Sequence, residues 1–176
     1  MRQSESPDGG ERQMIQVGDP IPEATLKQLT GGGIEDVLTS DFFAGRQIIL
    51  IGVPGAFTPT CAQQHLPNYI ENAQPFFDRG VDEIACMAVN DPFVIAEWGK
   101  QSGAAHKVTM LSDGNAELTQ AMGMDFDGSN VGLGTRCKRF SAFFVNGHLK
   151  LLEVEDNPGV MTVTDAERML RNLDHG

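Results

Sequence analysis

Residues 46–61 read Arg46-Gln47-Ile48-Ile49-Leu50-Ile51-Gly52-Val53-Pro54-Gly55-Ala56-Phe57-Thr58-Pro59-Thr60-Cys61. From Arg46 to Val53 the chain is a short, Ile-rich apolar run bounded by Gly45 and by Pro54-Gly55, the pattern of a central strand buried on both faces. Thr58-Pro59 then opens a helical pattern, with a hydroxyl residue at the cap and proline at the first helical position. Pro67 lies inside that pattern and is expected to kink or break the helix near His65-Leu66.

The same strand-to-helix cycle recurs downstream. Asp82 to Val89 reads as a second buried strand, Asn90-Asp91-Pro92 as a cap leading the helix Phe93 to Gln101, Lys107 to Leu111 as a strand, and Ala116 to Met122 as a helix ended by Gly123. Upstream, Ala24 to Leu29 and Ile34 to Leu38 flank Thr30-Gly31-Gly32-Gly33, a β-hairpin pattern. After the glycine-rich loop Gly128 to Gly134, the strands Arg139 to Val145 and Leu149 to Val154 meet at Asn146-Gly147, a strong hairpin signal. Thr164 with Glu167 has the spacing of a capping box for a last helix ending near Leu173. The pattern implies one α/β domain over residues 15–173 with a mixed sheet and an N-terminal hairpin. The polar segment 1–14 reads as a disordered tail.

The composition narrows the function. The chain has 176 residues, 24 Asp plus Glu against 13 Lys plus Arg, and a net charge of -11. An acidic field disfavours nucleic acid and anionic membranes as partners, since both need basic surface. No apolar stretch approaches the about 18 residues of a spanning helix. Three cysteines are too few, and odd in number, for a secreted disulfide framework. The expected setting is therefore the cytoplasm, with any cysteine chemistry catalytic or incidental.

With Thr58 as N-cap, Cys61 falls in the first helical turn, where free N–H groups and the positive helix end favour an anion. A cysteine so placed is expected to hold more thiolate, the nucleophilic form; the alternative is a small buried hydrophobe. His65 lies four residues on and could share a face with Cys61, although Pro67 disturbs that geometry, and a structural or loop-bonding role is the favoured reading. His106, His148 and His175 fall in turns or the C-terminal end and read as solvated. No cysteine, histidine or carboxylate pair has zinc-like spacing, so no metal is expected.

The string Pro54-Gly55-Ala56-Phe57-Thr58-Pro59-Thr60-Cys61 with His65-Leu66-Pro67, together with Val89-Asn90-Asp91-Pro92-Phe93-Val94 and Gly132-Leu133-Gly134-Thr135-Arg136-Cys137-Lys138-Arg139-Phe140, resembles the peroxiredoxins, specifically their type II or peroxiredoxin-5-like subfamily. The resemblance implies a thioredoxin-like fold and reduction of H2O2, alkyl hydroperoxides and sometimes peroxynitrite, with no cofactor. It implies Cys61 as the peroxidatic nucleophile, Thr58 as its hydroxyl partner, Arg136 as its cationic partner and Pro54 as a shield. The backbone N–H groups of Thr60 and Cys61 would hold the peroxide. Arg139 is the nearest rival to Arg136 and is placed in the following strand.

Peroxide attack would leave a sulfenic acid that must condense with a thiol. By the same resemblance Cys86, 25 residues after Cys61, is a candidate resolving residue, against the reading that it is a core residue of a parallel strand. Atypical two-cysteine relatives place a resolver before the last helix, but Asp156 to Thr162 here holds no cysteine. This departure favours recycling by glutathione and glutaredoxin, or by thioredoxin, with Cys137 a spectator. Loops around the active site form a dimer contact in this family, so a homodimer is expected. Two other classes compete: a thioredoxin-like dithiol oxidoreductase using Cys61 and Cys86, and a redox sensor or holdase. Neither accounts for the combined threonine, cysteine and arginine.

Overall fold

The computed structural model describes residues 13–175. Most of the segment expected to be a disordered tail therefore lies outside the described residues; Ile15, just beyond it, is buried and donates its N–H to the Met122 carbonyl. In chain order the elements are β1 (Thr25–Thr30), β2 (Gly33–Leu38), α1 (Thr39–Phe42), β3 (Gln47–Gly52), a π turn (Cys61–His65), α2 (Leu66–Glu71), α3 (Ala73–Asp78), β4 (Glu83–Ala88), α4 (Pro92–Ser102), β5 (Thr109–Ser112), α5 (Glu117–Ala121), β6 (Asp125–Asp127), a 3-10 turn (Ser129–Val131), β7 (Thr135–Cys137), β8 (Phe140–Val145), β9 (His148–Val154) and α6 (Ala166–His175).

A mixed seven-stranded sheet, ordered β2-β1-β5-β4-β3-β8-β9, forms the centre. β3, β4 and β5 are parallel, and β8 pairs antiparallel to β3. The Ile-rich run is β3, an interior strand between β4 and β8: Ile49 and Ile51 face one core with Leu66, Tyr69, Phe76 and Trp98, while Ile48 and Leu50 face the other with Phe43, Phe140 and Phe144. Alternation of side chains along a strand gives each face its own core, and burying each such side chain contributes about 1.5–3 kcal/mol. Among the described residues no helix is long and apolar enough to cross a membrane.

Both hairpins form where expected. Asn146 and Gly147 take positive φ values of 49° and 77°, the conformation a two-residue hairpin loop requires. Other local expectations are refined or change. Pro67 disturbs the helix at His65-Leu66, where expected, by widening it rather than breaking it: the chain forms the π turn, closed by Leu66 N–H to Cys61 O, before α2 starts. A wider turn accommodates a proline that lacks an N–H and crowds the preceding turn. Thr164 does not cap the last helix, because its hydroxyl donates to Glu155; Asp165 instead accepts from Arg168 N–H. The glycine-rich loop is flanked by a small sheet, β6 with β7, and Arg139 sits just before β8 rather than within it.

Close packing of β3 on β8 depends on Gly52. A Cβ there would lie 2.1 Å from the Phe140 ring, so Gly52→Ala overpacks the site. Such strain costs about 1–3 kcal/mol, and the urea midpoint should fall with an unchanged m-value. An unshifted midpoint would show that the Phe140 ring moves aside freely.

Candidate active site

β3 ends at Gly52, and the buried residues Val53 to Ala56 carry the chain into the turn that precedes Cys61. Asn90, which follows β4, accepts the Ala56 N–H at 2.8 Å and fixes this turn from the neighbouring strand's end. The Thr58 hydroxyl donates to Gly55 O at 2.7 Å, and Thr58 O accepts the first intrahelical bond from Ala62 N–H. Thr60 and Cys61 precede that bond, so their N–H groups are not used within the helix. No bond from Thr58 to the Cys61 sulfur forms among the described residues; its lone pairs remain available as acceptors.

Cys61 is 0% exposed. The guanidinium that touches it is that of Arg139, not Arg136: Arg139 Nη2 donates to Cys61 Sγ at 3.0 Å. Arg139 Nη1 meets His65 Nδ1 at 3.0 Å, and Nε donates to Pro158 O at 3.0 Å. Each nitrogen of a buried guanidinium thus has one acceptor. Arg136 is drawn elsewhere, donating from Nε to Leu133 O at 2.9 Å and from Nη1 to Pro54 O at 3.1 Å. It packs so closely on the turn that a Cβ on Gly55 would stand 2.4 Å from its Nη1. Arg136 therefore braces the Pro54 turn, and the sulfur contact expected of it belongs to Arg139.

His65 is fully buried, and its pKa is lowered to about 3 by burial first and then by the Arg139 charge. It is neutral at pH 7, so Nδ1 accepts from Arg139 and the proton resides on Nε2, which faces the Thr164 carbonyl without a hydrogen bond of good geometry. The fixed positive charge at 3.0 Å stabilises negative charge on the sulfur.

Opposite the helix start, the segment after β9 closes the site. Thr60 Oγ1 donates to Gly159 O at 2.6 Å. Glu155, itself buried, accepts from Thr162, Val163 and Thr164. Burial pushes its carboxyl upward, but these hydrogen bonds outweigh that and hold it below the usual range. Cys86 lies in β4 in the same core as Cys61, and its thiol is pushed well up by burial and then by Cys61. Cys137 is buried in the other core, its thiol also raised, chiefly by burial. The cysteines are unbridged.

A parallel β3-β4-β5 centre flanked by β8-β9, with a cysteine in the first helical turn after β3, is the thioredoxin-like arrangement. The family model described as Redoxin matches residues 16–170. Among relatives, the chloroplastic peroxiredoxin-2E-2 of Oryza sativa subsp. japonica is 44% identical over 164 residues, covering 90% of this chain and 72% of that protein. Reduced Prx3 of Vibrio vulnificus, solved in complex with H2O2, is 41% identical with a TM-score of 0.86, over 91% of this chain and 99% of that one. Peroxiredoxin 5 of Alvinella pompejana is 31% identical with a TM-score of 0.81, over 92% and 99%. The chain belongs to the redoxin family and, within it, is a peroxiredoxin of the type II, peroxiredoxin-5-like group, a thiol peroxidase with an antioxidant role.

His65 sets a pH signature. Its folded pKa near 3 lies below the ordinary 6.5, so between these values the unfolded chain binds a proton that the native state refuses, and stability falls as pH drops from 6.5 toward 3. At about 1.4 kcal/mol per pH unit, acidification from pH 6.5 to 5 should cost about 2 kcal/mol through this residue. His65→Asn, whose side-chain oxygen can replace Nδ1 as acceptor, should lack that increment in urea titrations at the two pH values. An identical pH dependence would refute the buried neutral assignment.

Proposed function

We propose that the protein reduces H2O2 and alkyl hydroperoxides through Cys61, with Arg139 as the cationic partner. The observation that carries this is the Arg139 Nη2 to Cys61 Sγ contact at 3.0 Å in a site closed to solvent. The Cys61 thiolate attacks one peroxide oxygen, the O–O bond breaks, the sulfur gains OH as a sulfenic acid, and the departing alkoxide or hydroxide takes a proton to leave as alcohol or water. Negative charge moves from sulfur to the leaving oxygen, so donors fixed beforehand stabilise the transition state more than the ground state. In this reading Arg139 and the N–H groups of Thr60 and Cys61 are those donors, Thr58 accepts from the peroxide, and buried Pro54 limits water. The H2O2 complex of the Vibrio relative supports the substrate class.

The sulfenic acid then condenses with an external thiol, releasing water, and a second thiol completes the reduction. Two features support an external reductant, glutathione with glutaredoxin or else thioredoxin: residues 155–164 carry no cysteine, and Cys86 is fully buried with a raised thiol pKa. The free thiols fit a reducing compartment such as the cytoplasm. A homodimer is supported by exposed Phe57, Phe93, Val131 and Val160, each on a segment adjoining the Cys61 turn or its partners.

Rapid mixing of the reduced protein with one equivalent of H2O2 tests the chemistry. Sulfenate should form on Cys61 much faster than on free cysteine and be absent from Cys61→Ser; a rate no faster than free cysteine would refute a peroxidase. Cys86→Ser should keep steady-state turnover with both reductant systems. Loss of turnover with both would instead make Cys86 the resolving residue.

A further inference from the structure

Resting on that reading of Arg139, we propose that Glu155 is a positioning residue for the peroxide reaction, anchoring the loop that seats Arg139 against the Cys61 sulfur. Glu155 directly follows β9, and its own N–H donates to Arg139 O at 3.0 Å. One carboxylate oxygen, Oε2, accepts from the N–H groups of Thr162 at 2.7 Å, Val163 at 2.8 Å and Thr164 at 3.0 Å, and from Thr164 Oγ1 at 2.9 Å. The other, Oε1, accepts from Thr162 Oγ1 at 2.7 Å. Five donors on a 4%-exposed carboxylate make a charge-assisted set of the strong kind.

These bonds draw the two ends of the 155–164 loop together. Between them, the loop turns two carbonyls onto the site: Pro158 O accepts Arg139 Nε, and Gly159 O accepts Thr60 Oγ1. One carboxylate thereby fixes both the acceptor that orients the guanidinium and the acceptor that ties the helix start. The segment in between has little else to hold it. Its internal hydrogen bonds run from Gly159 and Val160 N–H to Asn157, and Val160 is 39% exposed. Removing the carboxylate leaves three backbone N–H groups without their acceptor and frees the Pro158 carbonyl to drift.

Glu155→Ala should lower the second-order rate constant for H2O2 by about tenfold to a hundredfold, as displacement of a catalytic donor by about 1 Å does. Its pH–rate profile should also move to the alkaline side, a change that loss of stability alone would not produce. The conservative Glu155→Gln rescues both readouts, because its amide oxygen can take the Oε2 donors while its NH2 faces the Thr162 hydroxyl. Thermal melts confirm that each variant is folded. Should Glu155→Ala not fold, the Thr162→Val/Thr164→Val pair removes two of the five donors and should shift rate and profile in the same direction, by a smaller factor. Arg139→Lys is assayed alongside. Wild-type rate and profile in Glu155→Ala, or in the threonine pair when that replaces it, with Arg139→Lys impaired, would overturn the role of Glu155 alone. Glu155→Gln as impaired as Glu155→Ala would overturn it too, since charge rather than loop anchoring would then carry the effect. Unimpaired Arg139→Lys would overturn the underlying assignment of Arg139.

Discussion

A guanidinium at 1% exposure is costly to bury, because an unpaired buried charge is disfavoured by several kcal/mol. Arg139 offsets that cost with one acceptor per nitrogen: the Pro158 carbonyl, His65 Nδ1 and Cys61 Sγ. Two of them, Cys61 and His65, open and close the π turn, and the third lies some ninety residues on, so the arginine is satisfied only when the π turn and the loop after β9 are both in place. A lysine, with a single point charge, could not bridge them in this plane.

The sheet places this arginine. β3 and β8 pair with Gly52 opposite Phe140, which brings Arg139 level with Val53, where the chain leaves the sheet for the Cys61 turn. His65 reaches the same point through the π turn imposed upstream of Pro67, and burial keeps it neutral so that it can accept rather than repel. Loop, turn and strand register are thus consequences of ordinary chain constraints converging on one cation.

The strand runs, both hairpins and the cysteine at the helix start were legible because each rests on local pattern. Ile48 to Val53 could only be a doubly covered strand, and Asn146-Gly147 could hardly be anything but a tight turn. The choice between Arg136 and Arg139 was not local. Both lie in one short basic stretch, and the break between β7 and β8, where Lys138 N–H bonds Met124 O, erases any alternation that would assign their directions. Aligning the two six-residue apolar runs that became β3 and β8 would have favoured Arg139, since it ends the run facing the catalytic turn. The threonine at 164 misled for a related reason: its hydroxyl answers a buried carboxylate nine residues away, a partner that cap spacing alone does not reveal.

The most direct measurement compares the stopped-flow rate constants for H2O2 of Arg139→Gln and Arg136→Gln. Loss of a preorganised donor to developing charge costs about a hundredfold to a thousandfold, and that loss should fall on Arg139→Gln, with Arg136→Gln affected far less. The reverse order, with Arg139→Gln folded and close to wild type, would contradict the assignment of the sulfur's cationic partner.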